Sequence, residues 1–461
     1  MKDTTLGHQE NKMGVMPISK LLISMSIPMM ASMLVQALYN IVDSIFVSQI
    51  SENALTAVSL AFPVQNLMIA FGAGTGTGVN ALLSKSLGEK NFDRANKAAV
   101  NGIFLFFLTF IAFSIFGILG SRAFFRSQTN ILEIVDYGTD YLFICTTFSL
   151  PLFGQIIFER LLQSTGKTFY AMISQTTGAI VNIILDPIMI FGLLGFPALG
   201  VKGAAIATVI GQTSGMLVAI WFNLRKNHEI RIIFRKFKPN LEIIKKIYAV
   251  GIPSTLMISI GSIMNYFLNR ILLSFTETAT AVFGVYFRLQ SFVFMPVFGL
   301  NHGIIPIVAY NFGARKKERI IKAVRLGMIY AVCIMFAGLV LLQLLPNEML
   351  MLFNATENML FIGIPALRTI SLSFIFAGFC VVAGGVFQAL GNGVLSLIVS
   401  IIRQLAVLLP TAYLLSLTGS VNSVWWAFPI SEIASFVFSV IFLRRVYKRQ
   451  IVNLEQKMVV P

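Results

Sequence analysis

The segment NIILDPIMIFG, from Asn182 to Gly192, places a carboxylate and a helix-breaking proline inside an otherwise apolar stretch. It belongs to an apolar run over residues 169 to 193, and a membrane-spanning helix needs about 20 mostly apolar residues. Similar runs recur along nearly the whole chain, which is 56% hydrophobic and 12% charged, with a mean hydropathy of +0.82. Such a chain cannot cover itself with polar surface as a soluble globule does, so the sequence predicts a membrane protein.

Twelve apolar runs can be distinguished, and each is long enough for one transmembrane helix. They lack the alternating pattern of barrel strands and are too long for such strands. The predicted fold class is therefore an all-α polytopic membrane protein with twelve transmembrane helices. The approximate limits of the runs are 21 to 48, 54 to 84, 98 to 120, 137 to 162, 169 to 193, 202 to 224, 246 to 274, 279 to 310, 321 to 345, 359 to 389, 394 to 417 and 421 to 443.

Positive charge collects in a few loops, which predicts the orientation of the chain. The segment between runs 6 and 7 contains Arg225, Lys226, Arg231, Arg235, Lys236, Lys238, Lys245 and Lys246. The turn between runs 8 and 9 contains Arg315, Lys316, Lys317, Arg319 and Lys322, and the tail contains Arg444, Arg445, Lys448 and Arg449. We therefore expect residues 1–20, the linker 225–245 and the tail 445–461 to be cytoplasmic. The net charge of +16 then reflects topology and contact with anionic lipid, and the scatter of the basic stretches argues against a nucleic-acid partner.

The linker 225–245 mixes basic and apolar residues. The apolar residues among its Lys and Arg side chains are Ile230, Ile232, Ile233, Phe234 and Phe237. This composition suits a short amphipathic helix on the cytoplasmic leaflet. It suits a solvated connector with some apolar residues equally well.

The chain consists of two copies of one unit, because a shift of 225 positions superimposes many identical residues. The matches include Ile27-Pro28 on Ile252-Pro253, Asn40 on Asn265, Gln65 on Gln290, Gly78 on Gly303, Gly88 on Gly313, Arg94 on Arg319 and Gln163 on Gln388. Six helices per copy is an even number, so both copies enter the bilayer in the same direction. The predicted architecture is two six-helix bundles, residues 21–224 and 246–444, related by a pseudo-two-fold axis along the membrane normal, as in secondary transporters.

Ionisable side chains at membrane depth are costly, so each is a functional candidate, with a structural ion pair as the alternative. In the first copy, the acids that we place at membrane depth are Asp43, Glu159 and Asp186. The matching positions of the second copy are Leu268, Gly384 and Thr411. This divergence indicates that only the first copy carries a coupling cation.

Helical spacing indicates how two of these acids cooperate. On the first helix, the residues at i, i+4 and i+7 of one face are Gln36, Asn40 and Asp43. Asn182 and Asp186 are four residues apart, and Pro187 leaves the carbonyl group of residue 183 without a donor. A carboxylate beside a free carbonyl and an amide can hold a proton or a small hard cation. We therefore predict that Asp43 and Asp186 couple transport to an ion gradient.

The other charges at membrane depth have simpler interpretations. Glu159 precedes Arg160 near the expected cytoplasmic end of the fourth run, where a local ion pair or an interfacial charge explains both residues. In the second copy, four arginines that lie within apolar runs are Arg270, Arg288, Arg368 and Arg403. Glu432 is expected to neutralise one of them, and the others must face water, backbone carbonyls or an anionic ligand.

Further polar residues in the apolar runs are candidates for lining a substrate cavity between the bundles. They are Gln36, Asn40, Gln65, Glu159, Asn265, Arg288, Gln290 and His302. A lone buried histidine such as His302 is more often structural, and the histidines have no metal-ligand spacing. Thr165-Gly166-Lys167-Thr168 is not a phosphate loop, because Leu161 replaces the first glycine of that motif. We expect no metal, no cofactor and no enzymatic activity.

Several motifs together resemble the multidrug and toxic compound extrusion (MATE) family, most closely its MepA-like bacterial branch. The motifs are Ser26-Ile27-Pro28, Tyr39 to Val47, Leu87-Gly88, Gln163 to Gly166, Asn182 with Asp186-Pro187, Gly203 to Thr208, and Asn311 to Ala314. They are spread over both copies, so the resemblance covers residues 20 to 445.

The resemblance implies a monomer in the bacterial inner membrane that exports amphipathic, often cationic drugs and dyes by alternating access, in exchange for H⁺ or Na⁺. The ion-coupling residues that it implies are Asp43, Asn182, Asp186 and Thr208. Some relatives carry an acid pair in the second lobe, whereas this chain has Asn265 and Gln388 on those helices. The alternative is a flippase for lipid-linked saccharides of the same fold superfamily, which the arginines of the second copy favour.

Overall fold

The fold is given by a computed structural model that describes residues 10–233, 237–452 and 454. Within these residues it contains helices and no strand, which confirms the predicted fold class. The helices are α1 Lys12–Val15, α2 Ile18–Ser48, α3 Glu52–Gly88, α4 Phe92–Gln128, α5 Leu132–Thr147, α6 Leu150–Ser164, α7 Thr168–Phe191, α8 Val201–Lys226, α9 Leu241–Leu273, α10 Glu277–Gly313, α11 Lys317–Leu344, α12 Pro346–Met351, α13 Glu357–Ser371, α14 Phe374–Ala389, α15 Gly393–Ile401, α16 Leu409–Ser416, α17 Val421–Val424 and α18 Ala427–Val446.

Twelve membrane spans arise because ten described helical segments are long and apolar enough to cross a membrane and two bent pairs add one span each. The pairs are α5 with α6, bent by 44°, and α13 with α14, bent by 49°. Residue 148, at the first break, matches residue 373, at the second break, so the repeat reproduces the bend. The spans agree with the twelve predicted runs. They extend beyond them where helix ends carry polar residues, as at both ends of α4.

Equivalent side chains start equivalent helices in the two copies. Ser51 Oγ accepts a hydrogen bond from the N–H of Ala54 at 3.0 Å, which caps the start of α3. Thr276 Oγ1 accepts one from Ala279 at 3.0 Å, which caps α10. Each cap satisfies a backbone donor that the first helical turn leaves free.

The two halves, α2–α8 and α9–α18, touch near the end of the bundle that carries the α8–α9 linker, the α10–α11 turn and both chain ends. We call this end the basic side. A Cβ atom on Gly88 would lie 1.9 Å from the carbonyl oxygen of Tyr310, and one on Gly313 would lie 2.1 Å from that of Lys85. Residues 88 and 313 match in the repeat, as do residues 85 and 310, so each contact is the image of the other. This reciprocity confirms the predicted pseudo-two-fold axis.

The halves diverge away from the basic side. A second reciprocal contact joins Gly74 to Thr255 and Gly299 to Met30. On each of these four helices, the residue eleven positions further from the basic side lies about three turns away on the same helix face. These residues are Ile41, Pro63, Tyr266 and Arg288, and all four are exposed. A cleft between α2 and α3 on one side and α9 and α10 on the other therefore opens at the end opposite the basic side.

Of the linker 225–245, residues 225–226 end α8 and residues 241–245 begin α9, and the other described residues, 227–233 and 237–240, form no helix. Of the two alternatives for the linker, these residues do not form the short amphipathic helix, and Phe234 lies outside the described residues. The N–H of Arg231 donates to Asn96 Oδ1 at 2.7 Å, and that of Asn240 donates to Asn101 Oδ1 at 2.9 Å. These bonds to α4 satisfy backbone groups that a helix would have paired internally, so the linker is a connector lying against the first half.

Residues 10–17, which we call the N-terminal strap, pack against both halves on the basic side. The sequence predicted the strap only as part of the cytoplasmic segment 1–20, of which residues 1–9 lie outside the described residues. The side chain of Met13 is fully buried, and Arg319 Nη2 donates to its carbonyl oxygen at 3.0 Å. Asn11 Nδ2 donates to the carbonyl oxygen of Thr165 at 3.0 Å. The strap thus links the α6–α7 turn of the first half to α11 of the second.

Candidate functional site

Three polar side chains meet between α7 and α8, inside the first half. Asn182 Nδ2 donates to Asp186 Oδ1 at 3.2 Å and to Thr208 Oγ1 at 3.4 Å. Asp186 is fully buried, and Asn182 and Thr208 are 2% and 5% exposed. One helical turn separates Asn182 from Asp186, which places both side chains on the same face of α7.

Asp43 lies near this group, on α2, which packs against α7. Asp43 is 9% exposed, and it lies close enough to Asp186 for the two charges to interact. Tyr39, one turn earlier on α2, lies near both carboxyl groups. We call the following residues the acid cluster: Asp43, Asn182, Asp186 and Thr208.

Three oxygen atoms of the acid cluster are buried without a hydrogen-bond partner among the described residues. They are Asp43 Oδ1, Asn182 Oδ1 and Asp186 Oδ2. Buried polar atoms are normally satisfied, so several free acceptors in one cluster mark a place where a proton or a small hard cation can be taken up. No group of three or more His, Cys, Asp or Glu side chains that could hold a metal ion occurs within residues 10–233, 237–452 and 454.

A second layer connects the acid cluster to α3 and α5. Gln65 Nε2 donates to the hydroxyl group of Tyr141 at 3.1 Å, and Tyr141 and Cys145 lie near Asp43. Gln65, a candidate cavity residue, therefore belongs to the surroundings of the acid cluster. Tyr39 and Tyr141 were missed, because a tyrosine in an apolar run has the pattern of an ordinary core residue.

Glu159 of α6 lies in a separate buried cluster. Its Oε1 accepts hydrogen bonds from Gln155 Nε2 at 2.9 Å and from Ser174 Oγ at 3.0 Å. Arg160 Nη1 donates instead to Gln163 Oε1 at 2.8 Å. Adjacent residues of a helix point in different directions, so the two charges have different partners. Neither a local ion pair nor an interfacial charge describes the surroundings of Glu159.

Arg160 also joins the two halves of the protein. Its Nη1 lies 2.9 Å from Nδ1 of His302 on α10. A guanidinium group can only donate, so Nδ1 accepts and we infer that the ring proton is on Nε2. His302, a candidate cavity residue, thus lies at a contact between the halves on the basic side of the cleft.

The acid of the second half pairs with one arginine, as predicted. Arg403 Nη1 lies 3.4 Å from Glu432 Oε1. Arg403 is in a π-helical stretch, Ile402–Leu408, between α15 and α16. The other three arginines named above for the second copy are exposed: Arg270, Arg288 and Arg368. One of the four positive charges is therefore neutralised inside the protein.

Two of the remaining cavity candidates border the cleft. Arg288 precedes Gly299 by eleven residues, about three helical turns, so both lie on the same face of α10. At Gly299 this face packs against Met30 of α2. Asn40 is exposed on α2, about four turns beyond Ser26, which packs against α10. The residues at half-buried positions are Gln36, Asn265 and Gln290.

Comparison with known proteins identifies the family. The profile of the MatE family matches residues 28–188 and 253–414, one match in each half. The chain belongs to the MatE family. It is 28% identical over 448 residues to the "Multidrug export protein MepA" of Staphylococcus haemolyticus, with 94% of each chain covered. The protein of the same name from Staphylococcus aureus is also 28% identical, over 447 residues and 94% of each chain. The predicted resemblance to MepA-like MATE proteins is confirmed.

Solved structures of transporters share the fold of this MatE protein. One is described as the "Outward-facing conformation of a multidrug resistance MATE family transporter of the MOP superfamily"; it is 27% identical, with a TM-score of 0.90 over 97% of this chain and 99% of that chain. A MOP superfamily transporter from Pyrococcus furiosus, described as having a binding pocket of reverse polarity that suggests a different function, is 27% identical, with a TM-score of 0.89 over the same shares. The protein is thus a multi-pass membrane protein.

Proposed function

We propose that this MatE protein is a secondary active multidrug exporter that exchanges amphipathic, often cationic compounds for H⁺ or Na⁺. Membership of the MatE family supports transport, and the similar MepA proteins are named multidrug export proteins. The observation that carries the proposal is the acid cluster, in which Asp43 and Asp186 are both buried, are close enough to interact electrostatically, and each have an oxygen without a partner among the described residues. The protein is then a transporter and not an enzyme, and we expect it to act as a monomer.

Ion coupling would follow from the repulsion between the two carboxylates. When both are charged and buried, they disfavour each other, and a bound proton or Na⁺ relieves the repulsion. Occupied and empty clusters therefore favour different packing of α2 against α7. Each inward positive charge contributes roughly 2.3 kcal/mol per 100 mV of membrane potential, and this energy can drive export against a gradient.

Alternating access requires that the contacts on the basic side separate while the opposite side closes. These contacts are the reciprocal glycine packing at Gly88 and Gly313, the hydrogen bond between Arg160 and His302, and the strap. All of them join one half to the other, so a rocking motion of rigid halves breaks them together. We place the basic side in the cytoplasm, because Lys and Arg collect there.

A flippase for lipid-linked saccharides is the second candidate, and Arg288 favours it. This exposed cation on the cleft face suits a phosphate group better than a cationic drug. Arg403 no longer supports this function, since its charge is paired with Glu432. The buried acids of the first half have no evident use in carrying an anionic lipid, so we rank export first.

Transport by purified protein in proteoliposomes tests the proposal. We expect a lipophilic cationic dye to be driven across the membrane by an imposed proton gradient or by an imposed sodium gradient, each applied alone. The gradient that works identifies the coupling ion. If neither gradient moves any of several such dyes, and expression instead restores a cell-envelope defect in a flippase-deficient strain, the second candidate is correct.

The strap provides a further prediction about the closed basic side. Arg319 donates to the carbonyl oxygens of Met13 and Met16 at 3.0 and 2.7 Å. Because hydrogen bonds to charged groups contribute about 1.5–3 kcal/mol, we expect Arg319→Ala to lower the free energy of unfolding by about 2 kcal/mol and to widen the basic side. Thermal unfolding and spin-label distances measure the two effects. The control is Arg315→Ala, an exposed neighbour outside these bonds, and equal behaviour of both variants would refute the role of the strap.

A further inference from the structure

A groove of about 620 Å³ runs along the outer surface of the second half, away from the cleft. One wall is α11, from which Ile321, Arg325, Ile329 and Cys333 face the groove at every fourth residue. The other wall is the end of α18 and the π-helical segment Tyr447–Ile451 that follows it. The helix α14 forms the floor, because it packs against both walls. Apart from its basic-side end, the lining is apolar.

The dimensions of the groove match one leaflet of a bilayer. Its lining on α11 extends over residues 320 to 333, which corresponds to about 20 Å of helix. The hydrocarbon core of a bilayer is about 30 Å thick. The groove therefore has the length of an acyl chain together with the boundary of its headgroup.

The charges of the groove lie at its basic-side end. The helix α11, with its 28 residues, is about 42 Å long and exceeds the hydrocarbon thickness by about 12 Å. The charged residues of α11 all lie between Lys317 and Arg325, so we assign the excess length to this end. Arg325, eight residues from the start of the helix, then lies at the membrane boundary. Arg444, two residues before the end of α18, lines the same part of the groove together with Tyr447.

Neither guanidinium group is neutralised by the protein. Arg325 and Arg444 are exposed, and neither has a hydrogen-bond or ion-pair partner among the described residues. Two unpaired guanidinium groups above an apolar channel are complementary to a phosphate group attached to acyl chains. A tyrosine at the same level suits the headgroup region, where its apolar ring and its hydroxyl group are both accommodated.

We propose that this groove is a binding site for an anionic phospholipid of the leaflet on the basic side. One acyl chain lies along α11 past Ile329 and Cys333. The phosphate group is bound between Arg325 and Arg444. The site is independent of the acid cluster and of the proposed transport function, because its three helices belong to the outer part of the second half.

Cys333 supplies a reporter for the test, since it is exposed and the other described cysteines, Cys145 and Cys380, are buried. The full-length protein is labelled at Cys333 with a small fluorophore and placed in vesicles that contain brominated phosphatidylglycerol or brominated phosphatidylcholine. We expect stronger quenching by phosphatidylglycerol. In parallel, delipidated unlabelled protein is titrated with each lipid and the bound lipids are counted by native mass spectrometry.

The matched variants are Arg325→Gln with Arg444→Gln, and Arg445→Gln as the control. Arg445 is an exposed neighbour outside the groove lining. A basic residue near the surface contributes about a fivefold factor in anionic-lipid binding, so we expect the double variant to bind phosphatidylglycerol on the order of thirtyfold more weakly. Arg445→Gln should bind as the unmodified protein does.

Several results would overturn the proposal. One is equal binding of phosphatidylglycerol and phosphatidylcholine, which would make the groove an ordinary lipid-facing surface. Another is unchanged phosphatidylglycerol binding by the double variant. Competition by inorganic phosphate that removes the quenching would assign the site to a free anion. If the double variant does not fold, the single variant Arg325→Gln decides, with an expected weakening of about fivefold.

Discussion

We expect Asp186→Asn to abolish gradient-driven efflux, to the level of vesicles without protein, while the protein still folds and inserts. The amide has the size of the carboxyl group and can keep the contact with Asn182, but it cannot release a proton or carry the charge that binds a cation. Asp186 Oδ2 has no partner among the described residues. Loss of this buried charge should therefore leave the unfolding temperature unchanged or raise it. Efflux from proteoliposomes and thermal unfolding measure both outcomes.

Two further variants make this prediction specific. Asp43→Asn should give the same loss, because both carboxyls are needed for the repulsion that an ion relieves. Asp93→Asn should transport normally, since the side chain of that acid is 76% exposed and its only ion pair among the described residues is with Lys97 on the same helix. All three variants should still bind the dye. Normal efflux in both Asp43→Asn and Asp186→Asn would show that the acid cluster has no role in the mechanism. Membership of the MatE family would not be affected by that result.

The second large effect is expected at the reciprocal contact on the basic side. Gly88→Val places a branched side chain where a single Cβ atom would already lie 1.9 Å from the carbonyl oxygen of Tyr310. A backbone carbonyl cannot move aside as a flexible side chain can, so α3 and α10 must separate. We expect the closed basic side to open and transport to fall at least about tenfold, because a loss of 1.4 kcal/mol in the closed state already changes its population tenfold.

Spin-label distances test this expectation directly. Labels at Lys97 and Glu318, which are exposed on the basic side, should move apart in Gly88→Val, and labels at Glu52 and Glu277 should approach each other across the cleft mouth. The control is Gly284→Ala, where an added Cβ atom meets nothing within 4 Å. If Gly88→Val does not fold, Gly88→Ala replaces it. A folded variant with unchanged distances would show that this contact does not hold the basic side closed.

The spacing of Asn182 and Asp186 predicted the part of the acid cluster that lies on one helix, because residues four apart share a helix face. Asp43 was predicted from its position at membrane depth on the polar face of the first helix, and Thr208 was added through the resemblance to the MATE family. The structure brings both to the group on α7. Tyr39, Tyr141 and Gln65 surround Asp43 from three helices. No short-range sequence pattern predicts which residues surround Asp43.

Glu159 shows where reasoning from neighbours in the chain fails. Arg160 follows it directly, and the sequence therefore suggested an ion pair. The helix directs Glu159 toward Ser174 of α7 and Arg160 toward His302 of the other half. The partner of a buried charge is decided by packing between helices, which lies outside any short window of sequence.

The sequence by itself determined that this protein spans a membrane with twelve helices in two related copies. Hydropathy and helix length depend on consecutive residues, and the repeat is seen directly as identical residues 225 positions apart. The tertiary structure decided which end of the cleft is closed, where the strap lies and that Arg160 meets His302, 142 positions away. These features depend on how two rigid bundles fit together, and that fit is set by side-chain shapes from many helices at once.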